Sequence, residues 1–118
     1  HFDDGRVMSY GTMGGEGQPQ TQATIFYRYN VQNSNLQKAV NEPRWLLGKT
    51  WGEDSTSLKI EDRFSHDTYD KLKSMGHIVE KVGAYEEIMG HAGALVCYPN
   101  GLKEGGYDLR SDGSVIGG

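Results

Sequence analysis

The residues best suited to chemistry are two adjacent glycines, Gly14 and Gly15, in the segment Gly11-Thr12-Met13-Gly14-Gly15-Glu16-Gly17-Gln18-Pro19-Gln20. With no Cβ to block the required dihedrals, neighbouring glycines can turn their backbone N–H groups outward together. Two such donors suit either the oxyanion that develops on an attacked amide carbonyl or a phosphate. From spacing alone, a strand-to-helix turn with no ligand is an equal reading. A phosphate loop is disfavoured because the lysine and hydroxyl of that motif are absent. The dinucleotide-binding pattern fails as well, since it needs a βαβ unit with a carboxylate on the next strand.

The other polar groups are weaker candidates. His1, His66, His77 and His91 are far apart and show no i, i+4 pair, so no metal site is expected. His91 lies between a loop and a strand in Met89-Gly90-His91-Ala92-Gly93-Ala94, where a structural role outranks a general base. Asp108, Arg110 and Asp112 place an arginine between two carboxylates, a pattern expected to form a buried or interface ion pair. Packing is the better expectation for Trp45 and Trp51 than a pocket wall. Glu16 is either a solvated loop carboxylate or a group that orients a substrate amine. No Ser/His/Asp or Cys/His set assembles, so the chain offers an anion-stabilising turn without a nucleophile.

The elements that must position this turn are readable from local pattern. Arg6–Thr12 is expected to be a strand and Met13–Gly17 a loop. Pro19 suits the first turn of a helix, where its missing N–H costs nothing, and that helix should run to about Tyr29. Its β-branched and aromatic content also permits a strand. A second helix is expected from Ser34, as cap, to Asn41, ended by Pro43. Trp45–Glu53 reads as irregular and Ser57–Glu61 as a strand. Ser65–Ser74 should be a helix capped by Ser65, with Asp67 at its positive end and Gly76 as its stop. Strands are expected at His77–Val82, Ala92–Tyr98 and Leu102–Tyr107, with a glycine-rich irregular tail. Strands mixed with helices and antiparallel hairpins give a layered α+β fold.

Composition narrows the function classes. The chain has 118 residues, enough for one domain with a modest core. Its net charge is 12 − 16 = −4 with no basic stripe, which argues against a nucleic-acid platform. No apolar run approaches the ~20 residues needed to span a bilayer. Cys97 is the single cysteine, so neither an intrachain disulfide nor a cysteine metal cluster is possible, and the compartment stays open. The first residue is histidine, and Phe2-Asp3-Asp4-Gly5-Arg6-Val7-Met8 reads as a hairpin with most of one strand missing. The expectation is therefore a piece of a longer precursor.

Five motifs in order resemble the gamma-glutamyltransferase family over essentially all 118 residues. They are Met13 through Gln20, Gln37-Lys38-Ala39-Val40-Asn41-Glu42-Pro43-Arg44-Trp45, Leu58-Lys59-Ile60-Glu61, Met89-Gly90, and Asp108-Leu109-Arg110-Ser111-Asp112-Gly113. The resemblance implies part of a four-layer αββα N-terminal-nucleophile hydrolase sandwich. Residues 1–118 would be the C-terminal portion of the small, catalytic subunit. In such proteins the precursor cleaves itself, and the new N-terminal threonine attacks a γ-glutamyl-type amide, its own α-amine serving as base. An acyl-enzyme forms, and water or an amine then takes the acyl group.

By this resemblance Gly14 and Gly15 supply the oxyanion hole. The nucleophile and the side chains that grip the substrate would lie upstream of His1, so the chain alone should be inactive. No cofactor or metal is implied. The implied partners are the large subunit, the remainder of the small subunit and a small-molecule amide, with no nucleic acid and no membrane. Leu109 stands where the family usually has proline, and Gly106 where alanine is common. Gly17-Gln18-Pro19-Gln20 and Trp45–Ser55 look more like a divergent branch whose amidohydrolases act on small acids such as oxamate. A family member without a nucleophile, acting in binding or assembly, is the non-catalytic alternative. An anion- or nucleotide-binding module built on the glycine turn is the third.

Overall fold

The computed structural model describes residues 1–49 and 54–117. Along the chain run β1 (Val7–Met13), α1 (Gln18–Phe26), α2 (Leu36–Asn41), β2 (Trp45–Leu47), β3 (Leu58–Glu61), α3 (His66–Ser74), β4 (Val79–Val82), β5 (His91–Cys97) and β6 (Lys103–Tyr107). Short 3-10 turns occupy Gly15–Gly17 and Glu87–Met89.

Strand β5 is the centre of the first sheet because its residues alternate in character. Ala92, Ala94 and Val96 are buried, while Gly93, Leu95 and Cys97 face outward. It pairs antiparallel with β1 on one side and β6 on the other, with Met13 opposite His91 and Gly11 opposite Gly93. The small inward side chains let the helices approach closely. Ile25 of α1 and Leu36, Ala39 and Val40 of α2 complete the apolar core with them. Gly106 contributes to the same fit: a methyl there would sit 3.2 Å from the Leu36 carbonyl and 3.3 Å from the Val40 side chain. An alanine at this position would require α2 to ride slightly further out.

The first helix is entered through Pro19, as expected, and buries Thr21 and Ile25. Beyond Phe26 it widens into a π-turn, Tyr27–Val31. The wider turn brings both Arg28 and Tyr29 inward. The strand alternative for this segment is not adopted. Helix α2 is capped by Asn35, whose side chain accepts from the Lys38 N–H at 2.7 Å. Ser34, the expected cap, instead donates its backbone N–H to Arg28 and closes the preceding π-turn. Ser65 does cap α3, accepting from the Thr68 N–H at 3.2 Å.

The second sheet has the order β2-β3-β4. Trp45–Leu47, expected to be irregular, forms its edge strand. Three residues are too few to show alternation, and the pairing with Leu58–Ile60 defines the strand. β3 and β4 are parallel, joined through α3, because parallel neighbours require a crossover. This parallel pair is an addition to the antiparallel hairpins expected. The Trp51 part of the expected irregular segment lies outside the described residues.

Candidate active site

The glycine turn begins where β1 ends. Gly14 adopts φ 139° and ψ 26°, and Gly15 has φ 54°. Both values lie where a side chain is strained. The Gly17 N–H donates to the Gly14 carbonyl at 3.0 Å, which closes the turn into the start of α1. Among the described residues the Gly14 N–H donates to nothing, although Gly14 is buried. The positive end of the α1 backbone dipole adds to the same region. An anionic oxygen set here would therefore meet a free buried N–H and a favourable helix end.

What holds the turn is Gly90, immediately before β5. A Cβ on Gly14 would lie 3.3 Å from the Gly90 Cα. Gly90 itself has φ 80°, and a Cβ there would collide with the Met13 carbonyl oxygen and stand 2.8 Å from Thr12 Oγ1. The backbones before β5 and after β1 thus touch with glycine on both sides.

Gly90 is fixed in turn by a buried charge cluster. The Arg44 guanidinium, 1 % exposed, donates through Nη1 to the carbonyls of Gly90 at 2.9 Å and Met89 at 3.2 Å. Its Nη2 meets Val40 carbonyl oxygen at 2.9 Å and Asp108 Oδ2 at 2.7 Å. Asp108 also accepts the Ala92 N–H at 2.8 Å, and its Oδ1 takes the Arg110 N–H at 3.0 Å and Arg110 Nη1 at 2.9 Å. Arg110 then forms a two-pronged pair with Glu61, at 2.7 and 2.6 Å. Glu61 further accepts the Arg44 N–H at 3.0 Å and Arg63 Nη2 at 2.7 Å. Arg63 lies over the Tyr85 ring, 3.8 Å from its centroid.

Burial alone would raise the Asp108 carboxyl, but Arg44 and the N–H groups of Ala92 and Arg110 outweigh it and hold it below the usual carboxylate range. Glu61 behaves the same way: burial opposes ionisation, and Arg110, the Arg44 N–H and Arg63 overcome it. Burial, then the like charge of Arg110, pushes the Arg44 guanidinium down to about 10, which leaves it cationic at neutral pH. The fully buried members, Arg44 and Arg110 against Glu61 and Asp108, balance in charge.

The expected pairing of Asp108 with Arg110 is present, but Asp112 is exposed and makes no ion pair among the described residues. Its place is taken by Glu61, 49 positions from Arg110. Arg44, Glu61 and Arg63 were not singled out as site residues, although Arg44 and Glu61 lie in two of the five motifs. His91 follows Gly90, and its Nε2 is buried with no hydrogen-bond partner among the described residues. His66 and His77 are exposed, and the described residues hold no group of three or more His, Cys, Asp or Glu placed for a metal. Trp45 lines an open apolar cleft of about 370 Å³ with Leu58, Ile60, Phe64 and Leu72. No described helix is long and apolar enough to cross a membrane.

The chain is 55% identical over 116 residues to the oxamate amidohydrolase proenzyme of Klebsiella pneumoniae, covering 98% of this chain and 22% of that protein. It is 48% identical over 108 residues to the glutathione hydrolase-like YwrD proenzyme of Bacillus subtilis, covering 92% of this chain and 21% of that protein. The chain thus spans about a fifth of the length of these relatives. The cephalosporin acylase structure from Bacillus halodurans superposes with a TM-score of 0.78 at 29% identity, over 91% of this chain and 19% of that one. The fold is α+β, of the N-terminal-nucleophile hydrolase kind. The Gamma-glutamyltranspeptidase family description matches residues 1–118, and the chain belongs to that family.

Proposed function

We propose that this chain is the C-terminal portion of the small subunit of a threonine-nucleophile amidohydrolase or acyltransferase, in which Gly14 and Gly15 are the oxyanion donors. The observation that carries the reading is the Gly14–Gly15 turn, held at positive φ values that favour glycine, buried at Gly14, and with the Gly14 N–H unpaired among the described residues. The nucleophile comes from an upstream segment of the same precursor, and the large subunit completes the enzyme. The threonine hydroxyl oxygen bonds to the amide carbon while the threonine α-amine takes its proton. The carbonyl oxygen becomes an oxyanion and accepts from the two glycine N–H groups. Collapse breaks the C–N bond, the departing nitrogen receives the proton, and the acyl group stays on the threonine as an ester. Water or an amine then releases it.

The substrate is an amide of a small carboxylic acid, either a γ-glutamyl amide or oxamate. Identity of 55% to the oxamate amidohydrolase, against 48% to the glutathione hydrolase-like protein, favours oxamate. The test is made on the full-length precursor. Intact mass should show self-cleavage to a chain beginning with threonine, and the mature protein should release ammonia from oxamate faster than 4-nitroaniline from its γ-glutamyl anilide. An alanine or valine at the cleavage position, or no turnover of either amide, would overturn the enzymatic reading and leave a binding or assembly role.

A further inference from the structure

The face of the first sheet that turns away from α1 and α2 is hollowed out beside the glycine turn. Gly11 of β1 and Gly93 of β5 are paired there, and a methyl on either would meet nothing within 4 Å. They floor an open cleft of about 530 Å³ together with Tyr107, which lies opposite Gly93 on β6. His91 stands at the end of this floor nearest the turn. It comes two residues before Gly93, so it shares the outward face, and it lies opposite Met13, the residue before Gly14. Its other neighbour, Gly90, has its Cα 3.3 Å from the position of a Gly14 Cβ. The opposite face is closed, because Ala92, Ala94 and Val96 are buried against the helices. A substrate and the upstream segment therefore reach the turn from the side on which His91 stands.

Two observations mark this imidazole as unfinished within the chain. Its Nε2 is shielded from water and has no hydrogen-bond partner among the described residues. A histidine with a purely structural role is ordinarily held by a hydrogen bond to its ring, since a shielded polar atom left unpaired carries the desolvation cost of its group. No bond to Nε2 opposes a half-turn of the ring, which lets the imidazole present that nitrogen to a ligand. The second observation is charge. Glu104 is the acidic residue of β1, β5 and β6, and it faces the helices opposite Val96. There it takes the Leu36 N–H and the Tyr98 hydroxyl. The outward strand positions around the hollow are thus free of carboxylates, and an anion entering it meets no like charge from them.

We infer that His91 is a specificity-determining residue, whose imidazole donates a hydrogen bond to a carboxylate attached directly to the reacting carbonyl carbon. The inference rests on Gly14 and Gly15 being the oxyanion donors, and it gives the oxamate reading a residue. With the carbonyl oxygen on the glycine turn, such a carboxylate lies one C–C bond, ~1.5 Å, further along. The absent side chains of Gly11 and Gly93 leave it room. The carboxylate of a γ-glutamyl amide is several bonds more distant and gains nothing from this imidazole.

The test uses the mature full-length protein. In the first readout, oxalate, the acid that oxamate hydrolysis leaves, is titrated into protein carrying nitrogen-15 histidine. The ring signal that is missing from the His91→Gln spectrum should shift, and His91→Ala should weaken oxalate binding about tenfold, with His91→Gln losing less. In the second, kcat/KM is measured for oxamate and for pyruvamide, which carries a neutral acetyl group in place of the carboxylate. The oxamate-to-pyruvamide ratio should fall about tenfold in His91→Ala and partly recover in His91→Gln. A His91 ring signal that stays still in oxalate, or a ratio unchanged by His91→Ala, would overturn the inference. Should His91→Ala fail to fold or to cleave itself, the wild-type ring signal and His91→Gln decide in the same way. Oxalate binding that depends on His91, without turnover of any amide, leaves the subsite standing and removes the enzymatic reading. Oxamate turnover with an unchanged ratio does the reverse.

Discussion

Replacing Asp108 by asparagine separates a buried network that holds the glycine turn from one that merely fills space. Asp108 uses both oxygens: Oδ2 takes Arg44 Nη2 and the Ala92 N–H, and Oδ1 takes the Arg110 N–H and Nη1. Asparagine keeps one oxygen and turns an NH₂ group toward a pair of donors on the other side. It also moves the balance of the fully buried charges from neutral to +1, since Arg44 and Arg110 then face Glu61 alone. Removing one partner of a buried pair costs about 3–5 kcal/mol, a large part of the 5–15 kcal/mol typical of a domain. In urea the slope of a protein several times this length exceeds the ~1–3 kcal/mol/M of small domains, so the unfolding midpoint of the full-length protein should drop by about 1 M.

Because Arg44 also holds the Gly90 carbonyl, the variant should lose kcat with little change in KM, by no more than the ~10²–10³ of a lost oxyanion donor. Pairing it with Arg44→Met should recover part of the stability, because an uncompensated charge then leaves the core. A stability change below about 1 kcal/mol, with kcat intact, would refute the reasoning.

Three further outcomes are expected. Gly14→Val combines strain at φ 139° with contact on Gly90, and should cut kcat about 10²–10³-fold while circular dichroism stays native; near-normal turnover would remove Gly14 from the donor pair. The carboxyls of Asp108 and Glu61 are held below their ordinary values, so their stabilisation is complete above the unfolded values near ~4 and is lost as pH falls through the folded ones. Stability should thus be level from about pH 7 to 5 and fall steeply below about 4, and Glu61→Gln should flatten that fall. Asn35→Ala removes the cap on the Lys38 N–H and should cost about 1 kcal/mol in thermal unfolding, whereas Ser34→Ala should cost much less.

Local chemistry alone determined a good part of this molecule. Adjacent glycines announced a turn, Ser65 and Pro19 marked helix starts, and the small-residue alternation of Ala92–Val96 marked the central strand. Each of these signals acts within a few residues, where dihedral preference and side-chain period operate. The Asn35 cap and the π-turn at Tyr27–Val31 were decided by fit: Ser34 closes the π-turn, and the wider turn carries Arg28 and Tyr29 inward together. The edge strand Trp45–Leu47 exists only through its ladder with β3. Tertiary structure alone brought Glu61 to Arg110 across 49 positions and Arg44 to Gly90 across 46. Charges so far apart carry no periodic signature. Their meeting is set by which faces pack together, and low-dielectric burial then makes the pairing obligatory.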